Sequence, residues 1–265
     1  VQFANKCWRI VRITGDGSIK LILHNDNTTG VSNPCSSSNN NNEAAYAHYN
    51  GTTYTSAYND NNNDNAYIGF MYGQVGASDY ASTHANTNKS TILTNLETWY
   101  KNNLSSYEDK LADTIWCNDK STVLEGLGYG TNNSFYGNYD RTYSSKQPSL
   151  KCPNDNNGGK LSKFTVNDTT NGNGSLTYKI GLLTADESAF AGLAYGLYNL
   201  STYLRENESY LWWTLSIFNF YTSDTSVFAS GGGLDYTSGS SKRAIRPVIS
   251  LTPSTTISGG SGTSE

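Results

Sequence analysis

Tyr210-Leu211-Trp212-Trp213-Thr214-Leu215-Ser216 and Ile245-Arg246-Pro247-Val248-Ile249-Ser250-Leu251 frame the C-terminal part of the chain with two apolar runs. The first anchors a strand on two tryptophans, and the second is an apolar run that closes the fold as another strand. The interval between them is rich in Ser, Gly, Asp and Tyr and reads as exposed loop. Core at both ends with loop between is the layout of a rigid scaffold presenting a variable surface. Binding concentrates on loops carried by such scaffolds.

Working outward, residues 1–24 read as a hairpin. Trp8–Ile13 and Ser18–Leu23 alternate apolar and polar residues around the turn signal Gly15-Asp16-Gly17. Residues 25–65 are polar and asparagine-rich. The run Asp60–Asn65 superficially resembles a calcium loop, but it lacks the glycine and the closing glutamate that such a loop needs, so it reads as a solvated turn. Ala66–Tyr72 reads as a buried strand. Residues 88–103 form a helix with Ile92, Leu93, Leu96, Trp99, Tyr100 and Leu104 on its apolar face, and Glu97 and Lys101 away from it. A second short helix is expected over Ser106–Ala112, with Ser106 and Asp109 as a capping pair. Residues 118–175 read as mostly loop, with Gly128-Tyr129-Gly130 and Tyr136-Gly137-Asn138-Tyr139 as packed turns. Thr184-Ala185-Asp186-Glu187 is a capping box that opens another helix. The Asp186–Glu187 pair needs no catalytic explanation, because acids are favoured in a first turn. One domain is expected over 1–251, followed by a Ser/Gly/Thr-rich tail or linker at 252–265.

Composition narrows the function classes. Apolar residues make up 36% and charged residues 15% of the 265, both below ordinary globular usage. The 20 Tyr and 5 Trp supply the missing core area, since each large aromatic buries about 150–250 Å². Disorder throughout is excluded on the same ground. The net charge is −4, and no basic stripe carries interleaved aromatics, so nucleic acid is not an expected partner. No window approaches the ~20 apolar residues of a membrane span. Val1 already falls inside a strand pattern, which reads as a processed or trimmed chain.

Cys7, Cys35, Cys117 and Cys152 form no C-x-x-C pair, and His24, His48 and His84 fall in no zinc spacing. No metal or cofactor is therefore expected. The even cysteine count and the Tyr/Asn/Ser/Thr richness point to two disulfides in an extracellular protein. Four cysteines allow three connectivities. Cys7–Cys35 with Cys117–Cys152 is favoured, because each pair closes one contiguous segment. No G-x-S-x-G elbow and no H-E-x-x-H is present, and the chain does not read as an enzyme.

Several of these segments also carry a family resemblance. Phe3–Ile13, Gly69-Phe70-Met71-Tyr72, Thr98-Trp99-Tyr100, Gly181–Glu187 and Arg246–Leu251 resemble a family of surface proteins of Gram-positive gut-type bacteria. The segment from Trp213-Thr214-Leu215-Ser216 to Arg246-Pro247-Val248 further resembles C-type-lectin-fold modules, including the variable proteins of diversity-generating retroelements. The resemblance implies an α+β, C-type-lectin-like fold: mixed and antiparallel twisted sheets, two or three helices and long polar loops. It implies that the tryptophan and Arg-Pro-Val strands are scaffold and that residues 217–243 form the binding face. Phe218, Asn219, Tyr221, Asp224, Ser226, Asp235, Tyr236, Lys242 and Arg243 are the candidate ligand contacts, with Val227 assigned to the core. Tyr, Ser, Gly and Asn are the residues that evolved paratopes use. The chain departs from the family at Ile217, where proline is usual, and at Ala244-Ile245, where Gly-Val is usual. No Glu-Pro-Asn or Gln-Pro-Asp calcium–sugar signature occurs, and the last cysteine, Cys152, lies far from the terminal module. The expectation is an extracellular, surface-displayed, adhesin-like module that binds a protein or glycan on another cell or phage. The alternative is self-association, as a subunit of an extracellular filament or pilus-like assembly.

Overall fold

The computed structural model describes residues 1–39, 43–123, 126–153, 163–166, 176–199, 201–204 and 210–256. The elements that position the site are β1 (Lys6–Ile13), β2 (Ile19–Asn25), α1 (Thr91–Asn103), β3 (Ser134–Tyr136), α2 (Ala185–Phe190), β4 (Trp212–Tyr221), β5 (Asp224–Ser230), β6 (Leu234–Ser238), β7 (Arg243–Ala244) and β8 (Val248–Leu251). Several two- and three-residue strands and short helical turns complete a mixed α+β architecture.

The N-terminal alternation becomes the hairpin β1–β2, and β8 adds antiparallel to β2, from Val248 opposite Ile22 to Leu251 opposite Ile19. Gln2–Phe3 completes this four-stranded sheet. The alternation does not survive along all of β1. A register break between Ile10 and Arg12 leaves Ile10 and Ile13 exposed.

The second sheet corrects the loop expected between residues 217 and 243. Strands β3, β4, β5 and β6 pair antiparallel in sequence order, and β7 pairs parallel with β4 at Trp212 opposite Ala244. Thr222 and Ser223 both have positive φ (49° and 73°). Two such residues in a row make the tight connection that a β4–β5 hairpin requires. Strands β4 and β5 escape a period-two reading because most residues along them are buried whichever way they point. Val227 and Phe228 are adjacent and both fully buried, so the core assignment of Val227 holds and Phe228 joins it.

The core collects all five tryptophans, each no more than 2% exposed. Trp8 meets Trp99 edge-on at 6.3 Å, and Trp213 meets Tyr58 at 5.7 Å. Gly181 bridges to Val248 with no room for a side chain, since an added Cβ would lie 2.3 Å from Trp116 Cε3. Arg246 is also fully buried. Its Nε donates to Leu23 O at 2.9 Å, its Nη1 donates to Leu204 O, and its guanidinium lies 5.4 Å from the Trp212 ring centre. It thereby pins β2 of one sheet to β4 of the other.

Helix α1 buries the expected apolar face and starts after Ser90, whose hydroxyl accepts from Leu93 N. Glu97 differs from expectation. It is buried, and Lys89 reaches it at 2.7 Å. The strand expected over Ala66–Tyr72 shrinks to Met71–Tyr72. The Asp64 carboxylate caps a 3₁₀ turn at Asn65–Tyr67, and Gly69 takes φ +88°, which no extended strand allows. The helix expected over Ser106–Ala112 is instead a 3₁₀ segment, Ser105–Lys110, preceded by Leu104 with no side-chain cap. Short runs tighten readily into this form. The turn at Gly128–Gly130 is packed as read, with Asn65 donating to Gly130 O and Asn132 O. The turn expected over Tyr136–Tyr139 is instead the end of β3, whose Tyr136 hydroxyl donates to Asn65, followed by a short helical segment from Gly137. Both disulfides pair as favoured, Cys7–Cys35 and Cys117–Cys152. Of the tail, Thr252 N still bonds Lys110 O, while 257–265 lie outside the described residues.

Candidate aromatic face

A sheet of aromatic rings is laid across β4, β5 and β6. Phe218 begins it. The β4–β5 register breaks between Ile217 and Asn219, and such a bulge re-aims the side chain it carries. Phe218 packs edge-on against Phe228 at 5.1 Å and stacks on Tyr236 at 4.1 Å with an interplanar angle of 8°. Tyr195 lies nearly parallel to both, at 6.1 Å and 7° from Tyr236 and at 6.3 Å and 14° from Phe218. A parallel bridge between Tyr195 and Leu234 at the edge of β6 holds it there.

A short helical segment, 137–144, extends the cluster. Tyr139 contacts Phe218 at 5.0 Å and Phe135 at 4.5 Å, and Tyr143 contacts Tyr195 at 4.6 Å. Phe135 carries the chain of rings to Tyr221 at 6.1 Å. Tyr143, Tyr221 and Tyr236 are 37%, 49% and 43% exposed. Tyr198, more exposed still, lies over Gly232 at the β5–β6 turn. A contiguous aromatic surface of this kind marks an interaction site far more often than scattered surface apolar residues do.

The polar members of the expected site divide into groups. Asp224 accepts from Asn62 Nδ2 and, at 2.9 Å, from the Ser238 hydroxyl. Asn62 also reaches Ser238 and Ser240. Thr225 N donates to Asn62 O at 2.8 Å. Asp224 is thus a clamp that fastens the asparagine-rich 60s segment to the hairpin end. Ser226 is half-buried opposite Ser238. Asp235 is exposed and its carboxylate accepts from Tyr236 N. Arg243 donates to Thr237 Oγ1 and to Lys242 O, while the Lys242 side chain is exposed. Phe218 and Asn219 are 3% and 8% exposed. Burial gives them a supporting position under the face.

Two phenols here are held in the neutral form. Burial, followed by the neighbouring Tyr236 and Asp235, pushes the Tyr195 hydroxyl above its ordinary value. Burial, Tyr143 and Asp140 do the same for Tyr139. Both stay hydrogen-bond donors in neutral solution. The arrangement offers flat apolar rings edged by hydroxyls and one carboxylate. It can stack on a sugar ring or an apolar side chain and donate hydrogen bonds beside it.

Sequence reasoning missed Phe135, Tyr139, Tyr143, Tyr195 and Tyr198. The Tyr136-Gly137-Asn138-Tyr139 segment held a partial signal: Tyr136 packs inward, whereas Tyr139 joins the face. Among the described residues no group of three or more His, Cys, Asp or Glu could hold a metal ion, and no helix is long and apolar enough to cross a membrane. No protein-family model, curated protein or solved structure matches the chain.

Proposed function

We propose that this chain is an extracellular, surface-displayed binding module that recognises a protein or glycan through the ring face on β4–β6. The observation that carries the reading is the exposed trio Tyr143, Tyr221 and Tyr236: Tyr143 and Tyr236 are seated on buried Phe218, and Tyr221 joins them through Phe135 and Tyr139. Rigid tyrosines supply contact area at low entropic cost, and the rings beneath pre-organise them. A C-type-lectin-like architecture is consistent with this reading. Trp212, Trp213, Arg246 and Val248 are buried scaffold, and the face lies on the strands between them. The two disulfides suit an oxidising compartment.

The test is a glycan array and a cell-lysate capture with the wild type beside Tyr143→Ala/Tyr221→Ala/Tyr236→Ala. Asp224 is left intact because it clamps the 60s segment. Loss of binding with unchanged thermal stability is the expected result, and retained binding would sink the proposal. A second reading, self-assembly into a filament, draws on β6 (Leu234–Ser238), which lies at the edge of its sheet. Sedimentation at rising concentration separates the two, since a strict monomer rules out the filament.

A further inference from the structure

A cavity of about 560 Å³ opens on a different part of the molecule, between β1, the Cys117–Cys152 disulfide and α2. Its floor is ionic. Glu187 Oε1 accepts from Arg12 Nε at 3.0 Å and from Lys20 Nζ at 2.6 Å, and its Oε2 accepts from Thr184 N at 3.0 Å. Asp186 accepts from Arg141 Nε, Arg141 Nη2 and Ser149 N. The two other lining carboxylates are also engaged, Asp16 by Thr14 and Ser18 N, and Asp113 by Val166 N. Each of the four carboxylates thus already accepts from the protein, and cationic donors remain. A guanidinium carries five N–H donors, and the terminal nitrogens of Arg12 have no hydrogen-bond partner among the described residues. Its side chain is 30% exposed, within reach of an entering group. The apolar lining residues Ile115 and Leu150 are 53% and 49% exposed.

The unengaged Arg12 donors beside exposed apolar side chains suit an amphipathic anion. We propose that this cavity binds a small carboxylate with an apolar body. The carboxylate pairs with the Arg12 guanidinium, and the body lies against Ile115 and Leu150. The volume falls within the ~300–1,000 Å³ of small-molecule sites, and planar pairing of guanidinium with carboxylate supplies the orientation. This site shares none of the ring-face tyrosines and does not depend on the function proposed for them.

The experiment is isothermal titration of the full chain with phenylacetate, acetate and the neutral analogue phenylacetamide. Phenylacetate should bind at least about tenfold more tightly than either of the others, because the amide forfeits a charged bond and acetate forfeits the apolar contact. Arg12→Gln should weaken phenylacetate about tenfold, and Leu150→Ser, a change at an exposed position, should also weaken it. Tyr236→Ala should leave it unchanged, which separates this site from ring stacking. Equal binding of phenylacetate and phenylacetamide, or no phenylacetate binding by the folded wild type, would overturn the proposal.

Discussion

Replacing Arg246 by alanine removes a buried side chain that bonds Leu23 O in one sheet and Leu204 O in a loop while lying over Trp212 of the other sheet. Leu23 O and Leu204 O lose their donor. Each buried acceptor left unpaired costs about 1–3 kcal/mol. Loss of the cation over Trp212 removes a further ~0.5–2 kcal/mol. Relief from desolvating a fully buried guanidinium offsets part of this, and a net loss of about 3–5 kcal/mol follows, the range for disrupting a buried charge network. That is a large share of the ~5–15 kcal/mol that holds a domain together. Urea unfolding with the disulfides intact measures it as a fall in midpoint at constant slope. Arg246→Lys should recover little, because an ammonium cannot reproduce the planar fork that serves two carbonyls. A loss below about 1 kcal/mol for Arg246→Ala, the scale of an ordinary surface change, would refute the reasoning.

Four further outcomes are expected. Thr184→Ala removes one arm of the capping box at α2 and should cost about 1 kcal/mol in the same urea assay. Burial first, then Lys120, holds the His84 imidazole well below its ordinary 6.5, although its bond to Gly128 O acts the other way. The unfolded chain therefore takes up a proton below that value which the folded chain refuses, and stability falls as the solution is acidified. Between about pH 7 and pH 5, His84→Gln should show a shallower loss than the wild type; matching slopes would discount this role. Glu187 adds to the acid loss at lower pH. Burial alone would raise its pKa, but Lys20 and Arg12 outweigh burial and hold it below the usual carboxylate range. Its stabilisation is present above its unfolded value and disappears as pH drops through the depressed one. Cys117→Ser/Cys152→Ser, which removes a bridge that spans 35 residues, should lower stability by about 3–4 kcal/mol, read by urea unfolding beside the wild type with Cys7–Cys35 intact.

What could be read from the sequence follows the range of the forces involved. The capping box at Thr184 and the face of α1 are legible because their partners lie three or four residues away. The β1–β2 hairpin is legible from its turn and alternation until the break after Ile10. The disulfide pairing follows from segment contiguity. Strands β4 and β5 are illegible as such because neighbours like Val227 and Phe228 are both buried, so no polar face marks a period of two. The function of Asp186 and Glu187 was only half visible. Their cap is local, but Glu187 is held by Arg12, 175 residues away in sequence. The ring face has the same problem. Phe218, Tyr221 and Tyr236 could be named from the terminal segment, but Tyr139, Tyr143 and Tyr195 reach it only through the folded chain.

The function proposed above places recognition on the exposed rings of β4–β6. The most direct test is tyrosine nitration of the chain with and without the ligand it captures, read out by peptide mass. Tyr143, Tyr221 and Tyr236 should be protected in the complex. Tyr49 and Tyr203, 42% and 43% exposed and outside the ring cluster, should react equally in both samples. Protection of Tyr49 or Tyr203 with the ring-face tyrosines still reactive would contradict the account.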